Sequence, residues 1–163
     1  MELKSPAFQE AGEIPKRHSC EGEDVSPALT WVDVPQDARS LVLICEDPDA
    51  PLKTFTHWVV YDLPPALHGL DEDVPKEGEV AGGRQGKNDF GRVGYGGPCP
   101  PTGPFHRYYF TLYALDRKLN LPAGAAKQDV LKAMEGRVLA KSSLMGRYKK
   151  VPLSRFVRTV LHR

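Results

Sequence analysis

An excess of charge of either sign is missing from this chain: its 163 residues carry 22 Lys and Arg against 21 Asp and Glu, a net charge of +1. Without a basic field there is no long-range grip on a phosphate backbone, which argues against nucleic acid as a partner. Long apolar runs are missing too. No stretch approaches the length of a membrane span, and the opening MELKSPAFQEAGEIP lacks the apolar core of a signal peptide, so the expectation is a cytoplasmic protein without a transmembrane segment. Cysteine is scarce: three, at 20, 45 and 99, are an odd number without close paired spacing. Neither a disulfide framework nor a structural zinc site is signalled, and reduced thiols are expected. Repeats and low-complexity tracts are absent, and 163 residues suit a single domain, 1–163, that buries an ordinary core.

Glycine and proline, by contrast, are concentrated. Residues 91–116 read GRVGYGGPCPPTGPFHRYYFTLYALD, a glycine and proline loop that enters an aromatic and β-branched strand at His106. Glycines 94, 96 and 97 permit positive φ and close approach, the prolines stiffen the loop, and its amides are expected to hold something. On a pleat of period two, His106, Tyr108 and Phe110 share one face. A second loop between strands, EDPDAPLKTFTHW at 46–58, supplies Asp47, Asp49 and His57. The ionisable chemistry therefore lies in two pieces of chain.

The remainder reads mainly as short strands. Residues 1–30 predict strands and loops without a helix; Leu29, Trp31 and Val34 alternate; 33–39 is a turn. The apolar run 40–45 predicts a central strand buried on both faces, paired with 56–63, which ends at Pro64 and Pro65. The stretch 66–90 predicts a solvated surface loop. Its GGRQGKN is not a phosphate-binding nucleotide loop, because the glycines have three residues between them rather than four and Asn88 follows the lysine. Residues 125–135 predict a helix with Ala126, Val130, Leu131 and Met134 as its apolar stripe and Gly136 ending it. Residues 138–144 alternate weakly, and Gly146, Arg147 and Tyr148 read as a strand end. Leu153, Phe156, Val157, Val160 and Leu161 form one helical face, predicting an amphipathic helix over 152–163. Periodicity thus argues a mainly antiparallel β domain.

Several motifs carry a resemblance: DPDAP at 47–51, HW at 57–58, GYGGPCPP at 94–101 and HRYYFTLYALD at 106–116, with GEIP at 12–15, CEGEDVSPALTW at 20–31 and GRY at 146–148. Together they resemble the phosphatidylethanolamine-binding protein (PEBP) family, in its bacterial and archaeal Raf-kinase-inhibitor-like branch. The resemblance implies a Greek-key antiparallel β-sandwich with a few peripheral helices and a small anion-binding pocket near one end of the sheets. It implies pocket histidines at His57 and His106 and a pocket aspartate at Asp47. Tyr108 closes the pocket, Gly97 and Pro98 form its wall, and Asp49, Tyr95, Cys99 and Pro100 are outer members.

Two histidines among loop amides suit phosphate-like anions, since amides donate hydrogen bonds and a protonated imidazole adds charge. Asp47 would orient an imidazole and keep it cationic near neutral pH; Asp49 would hold the DPDAP turn. By itself His57 reads more readily as a core histidine, and Asp47 as a turn residue; the family pattern reverses both. The expected role is a binding or regulatory module for a small phosphorylated or other anionic ligand, with no metal and no cofactor, and with room for a protein partner or homodimer. The alternative is a hydrolase using Cys99 or a histidine-activated water in the same pocket.

Overall fold

The continuous apolar run at 40–45 has the consequence expected of a strand covered on both sides. In a computed structural model, which describes residues 1–152, strand β4 (Ser40–Asp47) lies in the middle of a seven-stranded sheet. Alternate residues feed two cores. Leu41, Leu43 and Cys45 join one apolar cluster, and Val42 and Ile44 join the other. Its antiparallel neighbours are β5 (Phe55–Leu63) and β9 (His106–Leu115).

The remaining strands are β1 (Glu2–Lys4), β2 (Gly12–Glu13), β3 (Leu29–Val32), β6 (Gly69–Leu70), β7 (Glu79–Val80), β8 (Gly83–Gln85) and β10 (Val138–Tyr148). The large sheet has the order β2-β10-β9-β4-β5-β8-β7, and the small one β1-β3-β6. Apart from β2, which runs parallel to β10, the pairings are antiparallel. The larger core lies between the sheets and includes Trp31, Trp58 and Phe110. Helix α1 (Lys127–Met134) covers the outer face of the large sheet, with Val130 and Met134 buried among Val42, Ile44, Val59 and Tyr61.

Four expectations need correction. Within 66–90 the chain is not a solvated loop: it contributes β6, β7 and β8. Gln85 there is fully buried. Its Oε1 accepts from Trp58 Nε1 at 2.7 Å while its Nε2 donates to the carbonyls of Pro75 and Glu77, each at 2.8 Å. A long polar stretch can be interior when a single amide side chain satisfies several buried groups. The helix is narrower than predicted, and Ala126 and Leu131 are exposed because the sheet meets only the Val130 and Met134 edge. The weakly alternating 138–144 is the start of one strand of eleven residues. A 3-10 turn, Lys16–His18, interrupts the strands and loops of the N-terminal region. Gly136 does take positive φ, 71°, after the helix. The amphipathic helix predicted over 152–163 lies outside the described residues.

Candidate functional site

Period-two alternation aims three of the chemical side chains at one another. Asp47 continues the Leu41, Leu43, Cys45 face of β4, and His106 and Tyr108 continue the Phe110 face of β9; both faces point into the inter-sheet core. His57 alone would have the wrong parity, because Trp58 already faces that core. A bulge resolves this: Cys45 pairs with Trp58 but Glu46 pairs with Thr56, leaving His57 as the extra residue. Bulges re-aim side chains in this way. The His57 ring consequently packs edge-on against Tyr108, with centroids 5.2 Å apart.

These groups line a cavity of about 190 Å³ together with Ala50, Pro51, Phe55, Phe90, Cys99, Pro100 and Pro101. His106 Nδ1 lies 2.6 Å from Asp47 Oδ2, and Asp47 Oδ1 accepts the Asp49 amide at 2.7 Å. One buried carboxylate thus fixes both an imidazole and the turn of the DPDAP loop. His57 Nδ1–H donates to the Gly96 carbonyl at 2.7 Å, and the Gly96 amide donates to the His57 carbonyl at 3.0 Å. Each histidine has Nδ1 occupied by the protein, which leaves Nε2 for a ligand. Burial pushes the His57 pKa down, against the opposing pull of the Gly96 carbonyl and the Asp47 charge. The Tyr108 hydroxyl is buried close enough to Asp47 to feel its carboxylate, but it makes no hydrogen bond of good geometry with the described residues. Burial, then the Asp47 charge, push its pKa up.

The structure gathers Asp47, His57, His106, Tyr108, Cys99 and Pro100 around the cavity but not Gly97, Pro98 or Tyr95. The Gly97 amide is spent on Asp24 Oδ1 at 2.7 Å, and a Cβ at Gly97 would lie 2.1 Å from the His18 carbonyl oxygen. The glycines therefore serve close loop packing; of the three, only Gly94 takes positive φ, at 99°. The Pro98 carbonyl accepts the Cys20 amide at 3.0 Å, and Tyr95 packs edge-on against Trp58 while its hydroxyl donates to the His18 carbonyl at 2.6 Å. The loop amides hold the loop and His57 rather than facing the cavity. Asp49 turns away as well, forming a bidentate pair with Arg107 and accepting its backbone amide at 2.9 Å. That pairing brings the Asp49 pKa down to about 2.

One expectation about chemistry also changes. Cys20 and Cys99 form a disulfide, with Cα atoms 5.3 Å apart, so the thiols are not all reduced and Cys99 has no free thiol to act as a nucleophile. Spacing could not reveal this, because the bond closes a separation of 79 residues and Cys45 remains free in the core. Burial favours the neutral form of His57. Sequence reasoning missed the aromatic collar of Phe55 and Phe90. The Phe55 ring packs tilted against His57, centroids 4.9 Å apart, and edge-on against Phe90 at 4.7 Å. Its position two residues before His57 was a usable sign; Phe90 reaches the cavity by a loop path with no periodicity to follow.

Comparison with known proteins decides the lineage. Residues 4–149 match the phosphatidylethanolamine-binding protein family model. The chain belongs to that family. It is 54% identical over 151 residues to a UPF0098 protein of Methanothermobacter thermautotrophicus, covering 92% of this chain and 99% of the relative. A UPF0098 protein of Aquifex aeolicus is 53% identical over 152 residues, covering 92% and 89%. Among solved structures, Escherichia coli YbcL, described as a new member of the mammalian PEBP family, superposes with a TM-score of 0.85 at 30% identity. It covers 91% of this chain and 98% of its own. CT736 of Chlamydia trachomatis, described as a PEBP homologue, gives 0.84 at 44% identity, covering 91% and 97%. The PEBP fold accounts for the two-sheet architecture and the short accessory helix. No helix among the described residues is long and apolar enough to cross a membrane.

Proposed function

We propose that this PEBP-family chain is a binding module whose histidine cavity takes a small phosphate-bearing or similar oxyanionic group. The observation that carries the reading is the buried Tyr108 hydroxyl, which has no well-formed hydrogen bond among the described residues, beside a histidine already oriented by Asp47. An unpaired buried hydroxyl costs about 1–3 kcal/mol. A ligand oxygen at that point would recover the lost bond. When doubly protonated, His106 presents Nε2–H to the cavity while its other N–H is held by Asp47. Neutral His57 presents an acceptor at Nε2, which suits a singly protonated phosphate ester better than a fully ionised one. The aromatic and proline collar keeps water from the walls and strengthens each polar contact inside.

Titration of the imidazole resonances with inorganic phosphate and with O-phosphorylated small molecules tests the reading. His57 and His106 are expected to respond together at millimolar concentrations. A response confined to His18 or His68 would place the anion elsewhere and defeat the assignment.

A further inference from the structure

The Cys20–Cys99 disulfide is unused by the binding reading, yet one of its halves is part of the cavity wall. Cys99, Pro100 and Pro101 line the cavity consecutively, between the glycine loop and His106. Cys20 stands outside the cavity, in the N-terminal loop that follows the 3-10 turn. Both half-cystines belong to exposed residues, whereas Cys45 is 2% exposed and is held among core side chains. A small thiol in solution can therefore approach the bond without unfolding the core.

Noncovalent ties around the bond are unevenly distributed. Before Cys99 the loop is held firmly: Tyr95 to the His18 carbonyl, Gly96 to His57, Gly97 to Asp24, and the Pro98 carbonyl to the Cys20 amide. After Cys99, among the described residues, come three prolines, one isolated bridge, Thr102 with Lys150, and the Phe105 ring beneath the Arg147 and Lys149 cations before β9 begins. Prolines donate no backbone hydrogen bonds. Among the described residues the disulfide is thus the covalent tie of the wall segment 99–101, where backbone hydrogen bonds are sparse, while the loop behind it keeps its own hydrogen bonds.

We infer that the Cys20–Cys99 bond is a thiol–disulfide exchange site for a dithiol reductant, and that its cleavage loosens the wall of the histidine cavity. The exchange balances in two steps. A thiolate of the dithiol attacks one cystine sulfur, forming a mixed disulfide and releasing the other cysteine as a thiolate. The second thiol of the reductant, once deprotonated, then attacks the mixed disulfide, releases the second cysteine and leaves the reductant as a disulfide. Two electrons and two protons pass from the dithiol to Cys20 and Cys99. The inference is independent of which ligand the cavity takes.

The native full chain is treated with dithiothreitol, alkylated with iodoacetamide and mapped by peptide mass, while imidazole resonances are followed in parallel. Cys20 and Cys99 are expected to label under native conditions with Cys45 unlabelled, and the His57 and His106 resonances to shift or broaden while His68 stays fixed. Cys20→Ala, which leaves every cavity-lining residue in place, is expected to reproduce the reduced spectrum without any reductant. Labelling of all three cysteines at one common rate would mean that the bond opens only with global unfolding, and would overturn the exchange site. Histidine resonances unmoved by reduction, or by Cys20→Ala, would overturn the coupling to the cavity. Loss of phosphate binding in the oxidised protein would count against the binding reading and leave both of these outcomes as they stand.

Discussion

The two ends of β5 each open into a concave surface, and the larger is the one with less to offer a ligand. At the Leu63 end a cleft of about 390 Å³ is lined by Asp62, Glu79, Arg84, Lys118 and Asn120 among others. Its polar groups are largely committed. Asp62 accepts the Leu119 amide at 2.7 Å and the Asn120 amide at 2.9 Å, and Arg84 donates to the Leu121 carbonyl at 2.8 Å. At the Phe55 end the cavity is about half that size, yet it holds a hydroxyl without a well-formed hydrogen bond among the described residues and two histidines with one nitrogen apiece occupied. Volume measures where a ligand fits, whereas unsatisfied polar groups measure what it would gain. By that second measure the smaller opening is the better candidate.

Replacing one aspartate at each end should separate these roles. Asp47→Ala strips His106 of its buried partner and frees the DPDAP turn, and is expected to cost about 3 kcal/mol in urea unfolding while abolishing phosphate-induced shifts of His106. Asp62→Ala removes two amide acceptors at a position with φ of 56°, which alanine tolerates poorly. The expected cost there is about 1–2 kcal/mol, with phosphate binding unchanged. Equal binding losses in the two variants would erase the contrast between the ends.

Tyr108→Phe sharpens the comparison with a smaller change in stability. Deleting a hydroxyl that makes no hydrogen bond should leave stability within about 1 kcal/mol of the parent, or raise it. Phosphate affinity should nevertheless fall about 5- to 10-fold, the equivalent of one hydrogen bond. A destabilised Tyr108→Phe protein with undiminished affinity would show that the hydroxyl is structural.

The smallest effect is expected from Asp49, whose carboxylate belongs to the loop beside the cavity but faces Arg107. Its pKa is depressed to about 2 in the folded chain, so its stabilising contribution is present above the ordinary carboxylate value of about 3.9 and is lost as pH falls toward 2. The pair is substantially solvated, and screening keeps its worth small. Acid titration of Asp49→Asn should therefore lack a shallow loss of stability between pH 4 and 2 that the parent shows, with the same phosphate affinity at pH 6. A large affinity change would move Asp49 from loop anchor to ligand contact.

Much of the frame was legible in residue order alone. The unbroken apolar run at 40–45 required a strand covered on both faces, and alternation from His106 to Phe110 required the histidine and Tyr108 to look the same way, because side chains on a pleat repeat every second residue. Family motifs supplied His57, which alternation by itself would have turned away from the cavity. Tertiary structure decided the rest. The β4–β5 bulge that brings His57 beside Tyr108 depends on how two strands register, and the burial of Gln85 depends on which distant donor and acceptors meet it. The Cys20–Cys99 bond and the approach of Phe90 join residues far apart in the chain. Local sequence sets which way a side chain faces along its own strand; only the packing of strands and loops sets what it faces.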